Sequence, residues 1–222
     1  MIYQNITQEQ LTAIVTQAVQ KELERRSRQV PVGISVRHIH LSRSDIDRLF
    51  GRNYQLTPKK KLSQPGQYAC EECLDVIGPK GELKKVRILG PERRASQIEL
   101  AQTDCRNIGI SAPVRSSGNT AGTPGVTLRG PLGEVLILEG VIIADRHLHM
   151  SEAEAAAFGL KDGDHVQIRI DGLKPGIMGN VLVRAGNGHS LDLHIDTDDG
   201  NAFLLRQGQL VTVLGKEQGE IR

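Results

Sequence analysis

The stretch "VRHIHLS" (residues 36–42) recurs as "DRHLHMS" (145–151). Arg37, His38 and His40 map onto Arg146, His147 and His149 at a constant offset of 109, and Ser42 maps onto Ser151. A chain that writes one unusual pattern twice is expected to fold as two related halves. The period is too long for a solenoid. Seven His in 222 residues give about 0.2 H-x-H pairs by chance. Two pairs with matched flanks therefore call for a physical reason.

The surroundings of both motifs read as β-structure. From residue 32 onward, short runs rich in Val, Ile and Leu alternate with Gly-containing turns, as in "VGISV", "HVQIRI", "GNVLVRA" and "SLDLHID". The turns "GPKGE" (78–82) and "GPLGE" (130–134) sit between apolar runs, where hairpin connections belong. "SRSDIDRLFG" (42–51) and "SEAEAAAFGL" (151–160) read as short helices. Each opens on a Ser N-cap and closes near a Phe-Gly pair. Trp is absent, and Phe and Tyr number three each, so the core must be aliphatic. The expected fold is mainly β: two small β-barrels capped by short helices.

An amphipathic helix is expected ahead of them, over 6–27. Leu11, Ile14, Val15, Ala18, Val19 and Leu23 recur at helical spacing, and Thr7 with Gln10 suits a capping box. "ERRSRQVP" (24–31) reads as a polar linker. The helix either packs on the body of the protein or is a detachable address that docks on a partner.

Composition excludes several classes. A net charge of +2 gives no general field for nucleic acid or an anionic membrane surface. The longest apolar runs, such as "GVIIA" (140–144), are far too short to span a bilayer. "MIYQNITQEQ" has no basic segment leading into an apolar one, so no secretory signal is expected. Three Cys in such a chain read as reduced thiols. The expected compartment is the cytosol or something enclosed within it.

On a strand, residues i and i+2 point to one face. H-x-H is then a two-toothed chelate, and imidazole suits zinc and the other late first-row metals. His194, in "LDLHIDTDDGNAF" (191–203), alternates with leucines and offers a third imidazole. Glu99, in "SQIEL", has the strand setting for a carboxylate ligand. His189, in the turn "GNGHS", reads as solvent-facing, and His165 as structural. Cys70 and Cys73 form a lone C-x-x-C without the second pair a structural zinc needs, since Cys105 stands alone. The loop "VRSSGNTAGTPG" (114–125) is either a linker or a source of backbone amides and hydroxyls for phosphate or a cofactor, with Arg115 and Ser117 as the contacts. "TPKKKLS" (57–63) is a solvated basic loop or a seat for phosphates.

Taken together in order, "SVRHIHLS", "GPERRASQIEL", "DRHLHMS" and "LHIDTDDGNA" resemble the PduL-type phosphate acyltransferases (phosphate propanoyltransferases), over about residues 32–214. The resemblance implies two β-barrels: residues 28–36 with 145–222 in one, 37–144 in the other, and 1–27 as an extension. It implies acyl transfer between coenzyme A and inorganic phosphate at a two-metal site, normally two Zn2+ per chain. His38 and His40, with Glu99 as companion, would hold one ion and leave a position for the coenzyme A sulfur. His147, His149 and His194 would hold the other. Arg93 in "GPERR" matches the phosphate-binding arginine, with Arg94 beside it as the competing guanidinium. "DTDDGNA" departs from the family pattern, which has a Glu-Ala pair before the Asn, but the departure lies beyond His194. The family's members in bacterial microcompartments carry a short amphipathic extension, which residues 6–24 match. Shell or core proteins would then be partners, and a homo-oligomer is compatible with the sequence.

Two readings from other classes stand beside this one. A two-metal hydrolase of thioesters or phosphoesters would use water in place of phosphate. A metal-stapled scaffold would close each metal with four protein ligands.

Overall fold

A computed structural model describes residues 6–217. Helix α1 (Gln8–Ser27) leads into β1 (Gln29–Ser35) and β2 (His38–His40). Helix α2 (Arg43–Phe50) is followed by β3 (Pro58–Lys61), the long hairpin β4 (Tyr68–Gly78) and β5 (Gly81–Gly90), and β6 (Gln97–Glu99). Helix α3 (Gln102–Ile108) precedes β7 (Val114–Arg115), the hairpin β8 (Val126–Gly130) and β9 (Gly133–Ile137), and β10 (Val141–Ala144). The second half runs β11 (His147–Met150), α4 (Glu152–Phe158), β12 (His165–Ile170), β13 (Gly176–Ala185), β14 (Asp192–Asp196), α5 (Thr197–Phe203) and β15 (Leu210–Lys216).

The mainly β expectation holds. β1, β14, β11, β13, β12 and β15 close into a six-stranded barrel. β1 reaches it from the other end of the chain, pairing parallel with β14 and antiparallel with β15. The remaining strands form one nine-stranded sheet, which ends at β7 and β9 and so is a half-barrel. Each unit has its own aliphatic core. Ile39, Leu74, Ile88 and Leu128 belong to the first, and Leu148, Val166, Val183 and Leu193 to the second.

The short helices start and stop where the sequence marks them. Ser42 caps α2 through the Asp45 amide, and Ser151 caps α4 in a capping box with Glu154. Gly159 ends α4 in the left-handed conformation that glycine adopts without strain. Thr7 and Gln10 form the expected box at the start of α1.

Two expectations for the N-terminal segment are corrected. The helix continues through Ser27 and β1 starts at Gln29, so "ERRSRQVP" is not a linker. The rotamer-rich run Glu22–Arg26 stays helical because Glu22 pairs with Arg25 and Arg26 one turn on. Nor does α1 pack on the body. None of its residues is buried, and Leu11, Ile14, Val15, Val19 and Leu23 are all more than half exposed. Residues 1–5 of the expected extension lie outside the described residues. No described helix is long and apolar enough to cross a membrane.

Candidate active site

The apolar residue inside each H-x-H fixes where its histidines point. Ile39 is fully buried in the first core and Leu148 in the second. The flanking histidines must therefore face the opposite way. The partner strands obey the same rule. Ile98 lies between Gln97 and Glu99, and Leu193 between Asp192 and His194, both fully buried. Antiparallel pairing sets His38 opposite Glu99 and His147 opposite His194. The two halves thus build the same device in the same register.

His38, His40 and Glu99 form one group of potential metal ligands, and His147, His149 and His194 the other, each with its ligand atoms within 4.8 Å of one another. In the first group His38 Nε2 lies 3.4 Å and His40 Nε2 3.8 Å from the Glu99 carboxylate. In the second, ring centroids are separated by 4.7–5.2 Å. All six line one cleft of roughly 760 Å3 between the two units.

Hydrogen bonds to the far side of the rings orient them. His38 Nδ1 donates to Val36 O (2.9 Å), His40 Nδ1 to Leu89 O (3.2 Å) and His147 Nδ1 to Asp145 O (2.7 Å). In its neutral form each of these rings keeps the lone pair on Nε2, the arrangement typical of metal-binding histidine. Burial pushes His40 down to about 3, His147 to about 4 and His149 to about 2, so all three are neutral near pH 7 and their lone pairs are free. For Glu99, burial favours the neutral acid, but His38 outweighs it by charge and hydrogen bonding and holds the carboxyl well below its ordinary range. Burial likewise opposes protonation of His38, and Glu99 reverses it, raising His38 above the usual value. Three nitrogens, or two nitrogens and a carboxylate, make a donor set that suits zinc with a coordination position to spare.

Arg93 lines the same cleft, whereas Arg94 is exposed outside it. Its Nη1 donates to Ser117 Oγ (3.0 Å), and that hydroxyl donates to Glu99 (2.8 Å). The 114–125 loop is therefore tied into the first group. Arg115 is exposed, donates only to Val114 O among the described residues, and does not line the cleft. Lys60 and Lys61 of the basic run do line it, joined by Lys84, Lys85 and Arg87. Cys70 and Cys73 belong to neither ligand group, and both are free thiols.

Several residues were not foreseen. His189, expected in solvent, sits 3.0 Å from His149, Nδ1 to Nδ1, and its ring packs at 4.7 Å. The turn folds back because its amide bonds to Gly186 and its neighbour Ser190 is held by Gln64. Asp192 is buried and accepts from His194 Nε2 at 3.0 Å. Gln97 bridges Glu99 and Ser117. Asp192 and Gln97 each stand two residues from a candidate ligand on a strand, a spacing that could have found them. Arg184 lies across from His149 on β13, lines the cleft, and has no ion-pair partner among the described residues.

The family model for phosphate propanoyltransferase matches residues 31–206. The chain is 44% identical to the phosphate propanoyltransferase of Thermotoga maritima over 194 residues, covering 87% of this chain and 92% of that one. It is 48% identical to that of Salmonella typhimurium over 180 residues (81% and 85%). It is 46% identical to that of Rhodopseudomonas palustris over 188 residues (85% and 83%).

Proposed function

We propose how this chain, which belongs to the phosphate propanoyltransferase family and is an acyltransferase, moves an acyl group between coenzyme A and phosphate. It does so with two zinc ions. His38, His40 and Glu99 hold one; His147, His149 and His194 hold the other. The acyl group is short, propanoyl or acetyl, and the reaction is acyl-CoA plus phosphate to acyl phosphate plus coenzyme A. The observation that carries this reading is the pair of three-donor groups facing one cleft that Arg93 also lines.

Bound there, zinc supplies Lewis acidity toward the thioester and a seat for the leaving sulfur. The rest falls to the chain's own residues. Arg93 binds phosphate through its planar fork, and Ser117 fixes the guanidinium for that purpose. Holding phosphate beside the carbonyl turns a bimolecular encounter into a positioned attack. Arg184 adds a second positive group on the same side. Lys60, Lys61, Lys84, Lys85 and Arg87 make a basic rim that suits the phosphates of coenzyme A. No protein nucleophile takes part. Burial raises Cys70 and Cys105 to about 11, so both stay protonated and unreactive.

The test is coenzyme A release from acetyl-CoA and propanoyl-CoA, with and without phosphate, on zinc-replete protein. A variant with His147→Ala and His149→Ala runs beside it. Phosphate-dependent release that yields acyl phosphate and vanishes in the variant supports the reading. Release without phosphate would make the protein a hydrolase. Zinc binding without release would make it a scaffold.

The exposed apolar stripe of α1 supports a further part of the proposal. The helix is an address that docks on a shell or core protein of a bacterial microcompartment. Deletion of residues 1–27 then leaves catalysis intact and abolishes encapsulation.

A further inference from the structure

The arginine of each R-H-x-H motif plays no part in binding the ions or phosphate in the reading above, yet both halves keep it. Arg37 pairs with Asp104 and Arg146 with Asp199. The second pair is a two-toothed fork, with Nε to Oδ2 at 2.9 Å and Nη2 to Oδ1 at 2.6 Å. Both carboxylates are well covered, with side chains 10% and 18% exposed.

The two carboxylates occupy equivalent places. Asp104 stands five residues after Glu99, and Asp199 five after His194. Each lies on the short helix, α3 or α5, that follows the strand carrying the third ligand. Each therefore reaches back to the residue just before an H-x-H pair. The ion pair ties the third-ligand strand to the H-x-H strand, beside the cross-strand pairs His38–Glu99 and His147–His194.

The two ties are also joined. Helix α3 has Ala101 at its N-cap and no side-chain cap of its own. Asp198, next to Asp199 on α5, accepts from the Thr103 amide at 2.8 Å. Thr103 adjoins Asp104, so a continuous polar chain runs from Arg37 through α3 and α5 to Arg146.

We propose that Asp104–Arg37 and Asp199–Arg146 are equivalent positioning pairs, each setting the geometry of one three-donor group and hence its metal affinity. Asp198 couples the two groups by holding the helices that carry the carboxylates. The proposal rests on the two-zinc reading. Removing an outer residue that orients metal ligands typically weakens binding about 10–100-fold.

The experiment measures zinc affinity of the full chain by competition with a chromophoric chelator, with the visible spectrum of the cobalt(II) form as a report on ligand geometry. Asp199→Asn is expected to weaken one of two zinc sites by about 10–100-fold and alter the cobalt spectrum. Asp104→Asn does the same to the other site. Arg146→Lys keeps the charge but loses the fork, and falls between wild type and Asp199→Asn. Thermal unfolding of the metal-free forms runs alongside. Wild-type affinity in both Asp variants overturns the proposal. So does a metal-free Asp199→Asn or Arg146→Lys protein that is unfolded, since the pair would then be a general staple of the fold. If the wild-type chain itself binds no zinc, the two-zinc reading fails. Two wild-type sites that ignore both substitutions sink the positioning pairs alone.

Discussion

Gly33 offers a sharp test of how closely the second ligand group is packed. It lies on β1 directly opposite His194, and the barrel leaves no room for a side chain there. A Cβ at Gly33 would sit 2.8 Å from His194 Cδ2 and 2.9 Å from Asp192 Oδ2. Ordinary carbon contacts are about 3.5–4.0 Å, so the ring must retreat by roughly 0.7 Å or more. The backbone resists moving in its place, because Val32–Ser35 are paired in register with β14. The ring has little slack either. It packs at 5.2 Å on His147 and 4.8 Å on His149, and Asp192 grips its Nε2.

In Gly33→Ala the His194 nitrogen is therefore displaced from the point where it meets the other two imidazoles. A misplacement of about 1 Å at a reacting centre costs on the order of 100-fold in rate. Overpacking of this kind costs about 1–3 kcal/mol in stability. The expected result is a chain that still folds, holds nearer one zinc than two, and turns over propanoyl-CoA with phosphate about 10–100 times more slowly. Metal content, steady-state coenzyme A release and thermal unfolding give the three readouts. A Gly33→Ala protein with wild-type zinc content and turnover would refute the reasoning, because the third ligand would then tolerate the shift.

Ser117→Ala removes the hydroxyl that Arg93 and Glu99 share. A hydrogen bond to a charged group contributes about 1.5–3 kcal/mol, so kcat/KM with phosphate as the varied substrate should fall about 10–100-fold; unchanged kinetics would detach the loop from the site. The metal-free chain should lose stability as pH falls from about 6.5 toward about 4. His147, His149 and His40 are depressed below an unfolded value near 6.5, so the unfolded chain takes up protons that the fold resists. His38, raised by Glu99, acts above about 6.5, where its stabilisation is lost as pH rises, so it leaves the trend in this window standing; a melting temperature flat across that window contradicts the assignment. Deleting residues 1–27 should move the melting temperature by less than about 4 °C, the shift that 1 kcal/mol produces in a chain of this size, since no residue of α1 is buried. Cys73→Ser should leave both zinc content and turnover at wild-type levels, and a loss of zinc would revive the C-x-x-C as a ligand.

What the sequence disclosed follows the range of the physics behind it. Strand alternation is a two-residue rule, and it located His38, His40, His147, His149, His194 and Glu99 on their faces before any strand was paired. Capping is a four-residue rule, and it marked both ends of α2 and α4. Features that depend on pairing between distant strands stayed hidden. Arg184 meets His149 only because β11 lies beside β13, and His189 only because a turn doubles back. Closure is of the same kind. Whether a run of strands becomes a barrel or stops at a half-barrel is decided where its first and last strands meet, here β7 and β9, and no local pattern carries that.

The N-terminal helix and the repeat show a subtler limit. Apolar spacing predicted that α1 has a face to cover, and the structure leaves Leu11, Ile14, Val15, Val19 and Leu23 exposed. The same spacing is silent on whether the cover lies within the chain, because a stripe is equally apolar against its own core or a partner. The repeat was legible only where residue identity survived. The histidines of the H-x-H pairs match, while the candidate third donors stand in equivalent registers as Glu99 and His194. A search for identical letters misses that equivalence, and with it Asp104 and Asp199. Geometry restores it, because the register fixes what the position must do: present one ligand atom to the two imidazoles across the strand. A carboxylate and an imidazole can both do so, so the fold constrains the place of the candidate third donor more tightly than its identity.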